Sequence, residues 1–313
     1  MFPPAQRLDV GDVSLAVYEQ GAGEPVILLH GFPELAFSWR FQLPALADAG
    51  FHAIAVDQRG YGNSDCPGNV AAYDIHQLTD DIDGLLNALG VEQSRFVAHD
   101  WGAIVLWHYA LTRPERVTEM AVLNIPFYPR PPADPIDIFR HRYGDNFYIV
   151  NFQDSTDADT VFAANNRRFL DNMMRKNQLR REHFDALPAE LRVISLLAVA
   201  TRDKASGDAL LSAAELDVFA EAFGQTGYTP GINWYRNMGR NWATTADIEQ
   251  RIRPRTLFIG AQDDVVVPLD DIHAMGRCVD DLRIEMLAPC GHWTQQERPD
   301  DVNRLLVEFF SDR

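Results

Sequence analysis

Short apolar runs recur in the first and last parts of the chain and predict the strands of a sheet. Each run ends at polar or turn-forming residues, which is typical of buried strands. Two longer segments, Ile75 to Leu89 and Asp300 to Phe310, predict helices that cross between strands. The pattern predicts an α/β fold, with a mostly parallel eight-stranded sheet and helices on both faces. The predicted strands lie near 8–10, 13–19, 26–29, 52–56, 95–98, 119–123, 255–260 and 283–288.

The middle of the chain has a different pattern. Five prolines lie close together at its start, and helical periodicity with few strand signals follows up to about Thr244. We therefore predict an inserted α-helical cap over residues 127–245. Residues 1–126 and 246–313 then form the core. The prolines are Pro126, Pro129, Pro131, Pro132 and Pro135.

The composition limits the partners and the compartment. A formal net charge of -17 over 313 residues argues against binding to nucleic acid or to an anionic membrane. The start of the chain lacks a basic segment followed by an apolar core, and no apolar run approaches the length of a membrane span. Cys66, Cys278 and Cys290 have no paired spacing, which favours free thiols in a reducing compartment. We expect a cytoplasmic protein, and its oligomeric state stays open.

Ala98-His99-Asp100-Trp101-Gly102 joins a predicted buried strand to a predicted apolar helix. A tight strand-to-helix turn lifts one side chain above the sheet and needs small neighbours, here Ala98 and Gly102. Asp100 is the candidate nucleophile, because a carboxylate is already ionised at neutral pH and can attack an sp3 carbon that bears a leaving group. The alternative is that Asp100 only caps the helix.

Turnover of the resulting ester needs a base and an acid. His292 follows the last predicted strand, and Asp263 and Asp264 both follow the strand before it. The order nucleophile, acid, histidine is that of α/β-hydrolases. The chemistry alone does not separate the two aspartates. His99 next to Asp100 could suggest a metal pair, but no spacing typical of metal ligands accompanies it, and we expect no metal and no cofactor.

The loop after the strand at 26–29 supplies the candidate oxyanion hole. His30-Gly31-Phe32-Pro33 is an H-G-x-P sequence, so the N–H of Phe32 and the N–H of Trp101 are the predicted donors. Whether the bond before Pro33 is cis stays open at this point. Phe32, Trp101 and Trp234 are expected to line an apolar substrate pocket.

These motifs together resemble the α/β-hydrolase superfamily and, within it, the epoxide hydrolases. The resemblance covers nearly the whole chain, from HGFPE at 30–34 through DQRGYGNS at 57–64 and AHDWG at 98–102 to GHW at 291–293. It places the acid at Asp263, five residues before Pro268, and ranks Asp263 above Asp264. Some relatives carry the acid after the strand that ends near Leu123, where this chain has Asn124.

The resemblance also assigns two tyrosines of the predicted cap. Tyr148 and Tyr235 lie in segments similar to the tyrosine-bearing segments of epoxide hydrolases, and would bind and protonate the epoxide oxygen. A phenol is neutral at pH 7 and can donate to a developing alkoxide. The activity implied is hydrolysis of a small-molecule epoxide to a vicinal diol, with water as co-substrate, through an ester on Asp100 that a His292-activated water hydrolyses.

Two other functions are compatible with the motifs. A haloalkane or haloacid dehalogenase uses the same aspartate nucleophile, although Phe32 is not a polar halide ligand and the tyrosines suit an alkoxide. A ligand-binding protein that has lost turnover is the second alternative. A protein that only binds a ligand would have no physical reason to retain all five predicted catalytic residues, which are Asp100, Asp263, His292, Tyr148 and Tyr235.

Overall fold

An eight-stranded sheet forms the centre of the computed structural model, which describes residues 1–154, 156–176, 178–188 and 191–312. In these residues the strands are β1 (Gln6–Asp9), β2 (Ser14–Gly21), β3 (Glu24–Leu29), β4 (Phe51–Asp57), β5 (Ser94–His99), β6 (Val117–Leu123), β7 (Arg175–Lys176), β8 (Asp208–Ala209), β9 (Arg255–Ala261) and β10 (Leu282–Leu287). The order across the sheet is β1-β2-β4-β3-β5-β6-β9-β10. The pairs β1–β2 and β2–β4 are antiparallel and the other neighbours are parallel. The predicted fold class is confirmed.

Helices surround this sheet. Within the described residues they are α1 (Gln42–Asp48), α2 (Ile75–Ala88), α3 (Trp101–Thr112), α4 (Pro135–Tyr143), α5 (Tyr148–Asp154), α6 (Asp157–Ala164), α7 (Asn166–Met173), α8 (Arg181–Asp185), α9 (Leu196–Thr201), α10 (Ala213–Thr226), α11 (Thr229–Arg236), α12 (Met238–Thr244), α13 (Leu269–Ala274), α14 (Thr294–Glu297) and α15 (Pro299–Ser311). Both predicted helices are present, as α2 and α15, but only α2 connects two strands; α15 follows β10, the last strand of the described residues, so it is not a crossover helix. Throughout the described ranges, each helix is too short or too polar to cross a bilayer.

Strand β3 shows why the sheet is buried on both faces. Its side chains alternate, so that Val26 and Leu28 belong to one apolar cluster and Ile27 and Leu29 to the other. One cluster is completed by α1 and α15, and the other by α2 and α3. A continuous apolar run is what a parallel strand covered by helices requires.

Residues 127–245 contain α4 to α12 and the two-residue strands β7 and β8. Apolar side chains of these helices, such as Phe152 and Phe219, belong to the same cluster as α2 and α3. We keep the name predicted cap for residues 127–245, because its limits as a separate domain stay a prediction.

The carboxyl ends of β3, β5, β6, β9 and β10 lie along one edge of the sheet, since these strands are mutually parallel. In open α/β sheets this edge is where ligands bind. The loops that leave it carry most of the predicted site residues.

Candidate active site

Asp100 lies at the turn between β5 and α3 in a strained backbone conformation. Its φ and ψ are 51° and -120°, a region that non-glycine residues rarely adopt. A Cβ on Gly31 would lie 2.3 Å from Asp100 Oδ1, and one on Gly102 would lie 2.4 Å from the carbonyl oxygen of Leu29. The chain therefore needs glycine at both positions in order to double back this tightly. Strain of this kind is typical of functional sites.

The carboxylate of Asp100 is not used to cap α3. Asp100 holds the N-cap position, yet in the described structure its side chain accepts no hydrogen bond from the first turn of the helix. Instead, Oδ1 accepts the N–H of Phe32 at 2.8 Å, and Oδ2 lies 3.6 Å from His292 Nε2. The two oxygens thus have different surroundings, which the capping alternative does not explain.

The predicted oxyanion donors, Phe32 and Trp101, both adjoin Asp100. Phe32 follows β3, and the bond from Phe32 to Pro33 is cis. Trp101 is the first residue of α3, so its N–H has no acceptor within the helix. Two main-chain donors are therefore available beside one carboxylate.

The structure corrects the predicted acid. His292 Nδ1 lies 2.9 Å from Asp264 Oδ2, whereas the carboxylate of Asp263 accepts hydrogen bonds from the predicted cap, from Arg180 at 2.9 Å and from the N–H of Arg181 at 3.0 Å. The two aspartates follow β9 in a turn, and only the second points toward the base. Asp263 is thus not brought to His292.

Asp264 is held firmly and stays ionised. Its Oδ2 also accepts the side-chain amide of Asn124 at 2.7 Å, and its Oδ1 accepts the N–H of Val266 at 3.0 Å. Burial alone would raise the pKa of Asp264, but the positive charge and hydrogen bond of His292 hold that pKa below its ordinary value. Asn124, itself at φ 66°, thus holds the carboxylate of Asp264 from the end of β6.

His292 lies between two carboxylates. Burial alone would lower the pKa of His292, but Asp264 and Asp100 raise that pKa well above its ordinary value. Asp264 holds one ring nitrogen and leaves the other, Nε2, facing the carboxylate of Asp100. This is the arrangement of a nucleophile, a base and an orienting acid.

The rings of Tyr148 and Tyr235 contact each other edge to face. Tyr148 is the first residue of α5 and Tyr235 lies in α11, and their ring centroids are 5.7 Å apart. The ring of Tyr235 is 4.9 Å from Trp101 and 5.5 Å from Phe32. Burial is the largest cause that raises the pKa of both phenols, and the charge of Asp100 adds to it. Both hydroxyls therefore keep their protons at neutral pH.

Trp234, predicted to line the pocket, is almost fully buried. Its ring packs against Tyr61 and Trp101, at centroid distances of 5.5 and 5.8 Å. Its indole N–H donates to the carbonyl oxygen of Arg59 at 3.2 Å. These contacts join the predicted cap to the core, and a contact of Trp234 with substrate stays a prediction.

A buried polar network behind Asp100 was missed by reasoning from the sequence. His99 Nδ1 lies 2.6 Å from Glu34 Oε2 and His99 Nε2 lies 2.8 Å from the carbonyl oxygen of His292. Burial alone would raise the pKa of Glu34, but His99 lowers that pKa to about 2, so Glu34 is a carboxylate. The two ring nitrogens of His99 thus each lie within hydrogen-bond distance of an oxygen that accepts, the Glu34 carboxylate and the carbonyl oxygen of His292.

The other oxygen of Glu34 accepts the side-chain amides of Gln295 and Gln296, at 2.8 and 3.1 Å. The N–H of Gly31 donates to Glu34 Oε2 at 3.1 Å. The signal available in the sequence was a histidine directly after the apolar residues 96–98 of a buried strand. A histidine at such a position needs a partner, and the partner lies 65 positions away.

The comparisons with known proteins agree with one another. The chain matches the family described as alpha/beta hydrolase fold over residues 24–299. Epoxide hydrolase A of Mycobacterium tuberculosis is 41% identical over 321 residues, which cover 99% of this chain and 98% of that protein. Bifunctional epoxide hydrolase 2 of Sus scrofa is 36% identical over 95% of this chain, which spans 53% of that longer protein. The crystal structure of epoxide hydrolase A from Mycobacterium thermoresistibile matches with a TM-score of 0.90 at 37% identity, covering 99% of this chain and 98% of that one.

Proposed function

The chain belongs to the α/β-hydrolase family and is an epoxide hydrolase, and we propose that Asp100, His292 and Asp264 carry out its two chemical steps. The substrate is a small-molecule epoxide, and water is consumed with it. The observation that carries the proposal is the division of the Asp100 carboxylate, with Oδ1 bound by the Phe32 N–H and Oδ2 facing His292.

The first step forms an ester. Oδ2 of Asp100 attacks one carbon of the epoxide, the bond from that carbon to the ring oxygen breaks, and the electron pair stays on the oxygen. Tyr148 and Tyr235 donate hydrogen bonds to this oxygen and one of them gives it a proton. Oδ1 becomes the carbonyl oxygen of the ester and remains next to the Phe32 N–H.

Formation of the ester also prepares the base. In the free enzyme the charge of Asp100 raises the pKa of His292. The ester is neutral, so this contribution disappears and the pKa of His292 falls. The imidazolium then gives its proton to the tyrosinate left by the first step, and the neutral ring can accept a proton from water. Asp264 remains ionised beside Nδ1 and stabilises the imidazolium that forms.

The second step releases the diol. His292 takes a proton from water while the water oxygen attacks the carbonyl carbon of Asp100, and negative charge collects on Oδ1. The N–H groups of Phe32 and Trp101 stabilise this oxyanion. Its collapse breaks the bond to the diol oxygen, which takes the carboxyl proton, and His292 is left protonated, as in the free enzyme. Epoxide and water are thereby converted to one diol.

Replacement of His292 tests this division of labour. In His292→Gln, Asp100 can still attack the epoxide but water is no longer activated, so the ester should accumulate. Intact mass after incubation with styrene oxide should show one adduct, and peptide mapping should locate it on Asp100. Normal turnover without an adduct would contradict the role of His292 as the base of the second step.

We further propose that the protein works in the cytoplasm, as the acidic composition and the three free cysteines suggest. Cell fractionation followed by immunoblotting checks this location. Recovery in an exported or membrane fraction would contradict it.

A further inference from the structure

The loop that carries Asp264 is bound by two arginines of the predicted cap. The carboxylate of Asp263 accepts the N–H of Arg181 at 3.0 Å and Arg180 Nη1 at 2.9 Å. The guanidinium of Arg181 donates to the carbonyl oxygen of Asp264 and, at 2.7 Å, to that of Val267. Arg181 therefore contacts the main chain of the acid residue itself and the main chain three residues later.

Arg180 and Arg181 do not constrain the loop after β9 equally. The side chain of Arg180 is 43% exposed, so its ion pair with Asp263 is screened by solvent and contributes little. Arg181 instead donates to main-chain oxygens whose positions define the turn after β9, and its planar guanidinium can bridge two of them. Arg181 is thus the residue that constrains the acid loop.

The loop that carries the base is bound to the same part of the structure. The indole of Trp293, the residue after His292, donates to the carbonyl oxygen of Met173 at the end of α7. The two loops also contact each other, because the N–H of Asp263 donates to the carbonyl oxygen of Cys290 at 2.8 Å. The acid, the base and the predicted cap are therefore linked by hydrogen bonds on one side of the site.

We propose that Arg181, anchored by Asp263, is a positioning residue for the acid–base pair, and that it acts on hydrolysis of the ester rather than on its formation. The proposal rests on the function proposed above. Formation of the ester needs Asp100 and the tyrosines, which Arg181 does not touch in the described structure. Hydrolysis needs Asp264 to orient His292, and a shift of about 1 Å in a catalytic group can reduce a rate by about 100-fold. Asp263, predicted to be the acid, thereby acquires a separate role.

The test separates the two steps in a single turnover with styrene oxide and excess enzyme. In Arg181→Ala we expect the rate of ester formation to change by less than about twofold, and ester hydrolysis to slow by about 10-fold or more. Arg181→Lys, which keeps one flexible donor group, should fall between Arg181→Ala and the wild type. Arg168→Ala is the matched control, since it removes an arginine of the predicted cap whose ion pair with Asp203 is exposed, and both of its rates should equal those of the wild type.

Thermal melts distinguish mispositioning from unfolding, and Arg181→Lys provides the rates if Arg181→Ala does not fold. Equal slowing of both steps would show that Arg181 only holds the predicted cap in place, and this would overturn the proposal. Unchanged rates in a folded variant would also overturn it. Absence of an ester in the wild type would instead contradict the proposed function, so the two failures are distinguishable.

Discussion

At the scale of single residues, the site depends on which oxygen of each carboxylate faces which partner. Oδ1 of Asp100 faces a main-chain N–H and Oδ2 faces His292, while Oδ2 of Asp264 receives both His292 and Asn124. His292 lies between these two charges and loses one of them when the ester forms. The same histidine can therefore stay protonated in the free enzyme and act as a base in the intermediate.

The acid is tested by exchanging each aspartate for asparagine. Asp264→Asn removes the charge that orients and stabilises His292, and should slow ester hydrolysis by about 10²- to 10⁴-fold. Asp263→Asn is the control and should slow it far less, because asparagine keeps an oxygen for the Arg181 N–H. Stopped-flow measurement of single-turnover hydrolysis gives both rates. A larger loss in Asp263→Asn would contradict the assignment of Asp264.

The two phenols are tested in the first step. Each of Tyr148→Phe and Tyr235→Phe should slow ester formation, by about 10²- to 10⁴-fold for the tyrosine that is the main acid. Tyr143→Phe, a change of the same kind in α4, should leave the rate unaltered. Stopped-flow measurement of ester formation, with melting curves for each variant, checks this. Full epoxide turnover in a folded double variant would exclude the tyrosines.

The sequence identifies which residue types could take part in the chemistry, but not which way each side chain points. It identified Asp100 and His292 as candidates because each follows a strand end, but Asp263 and Asp264 are the same residue type in one loop. Which of them points at His292 depends on the turn after β9 and on contacts with Arg181 and Asn124, which are distant in sequence. The spacing of residues along the chain does not predict contacts between residues so far apart in sequence.

At the scale of elements, a buried hydrogen-bond network around Glu34 and His99 joins three parts of the sheet edge. Glu34 lies in the loop after β3, His99 ends β5, and Gln295 and Gln296 belong to α14. The network is fully buried, so its members compensate for each other's loss of solvent. The network fixes the position of the loop after β3 relative to the turn at Asp100. The hydrogen bond between His99 and the carbonyl oxygen of His292 adds the loop after β10 to the same network.

Loss of Glu34 should therefore destabilise the whole domain. Glu34→Ala leaves a buried His99 without its partner, and we expect the free energy of unfolding to fall by about 3–5 kcal/mol. Glu182→Ala, which removes an exposed carboxylate in α8, should change it by less than about 0.5 kcal/mol. Urea denaturation followed by circular dichroism measures both. Equal stability of Glu34→Ala and the wild type would show that the contact between Glu34 and His99 contributes nothing to stability.

Strands and helices with a clear pattern of apolar residues were predictable from the sequence, and contacts between residues distant in sequence were not. The apolar run at 26–29 corresponds to β3 (Glu24–Leu29), because a strand buried on both faces has to be apolar throughout. The period of Ile75 to Leu89 likewise corresponds to α2. No such pattern marks Glu34, whose importance arises only when folding brings His99 next to it.

At the scale of the whole molecule, the proposed catalytic set is assembled from distant parts of the chain. The core supplies Asp100, Asp264 and His292 from parallel strand ends, and the predicted cap supplies Tyr148 and Tyr235 from above. Two side chains of the predicted cap also donate hydrogen bonds to main-chain oxygens of the core, Trp234 to that of Arg59 and Arg181 to that of Asp264. The order of motifs along the chain placed the candidate residues at these strand ends, but the sequence ranked Asp263 above Asp264, and Asp264 is the residue that contacts His292.

The central claim is that the diol receives its new oxygen from Asp100, and oxygen labelling tests it most directly. In a single turnover of a styrene oxide substrate with excess enzyme in ¹⁸O-water, the diol should be mostly unlabelled, and the label should appear in the peptide that contains Asp100. With many turnovers the diol should become labelled. Fully labelled diol after a single turnover would show that water attacks the epoxide directly, and it would contradict the ester on Asp100.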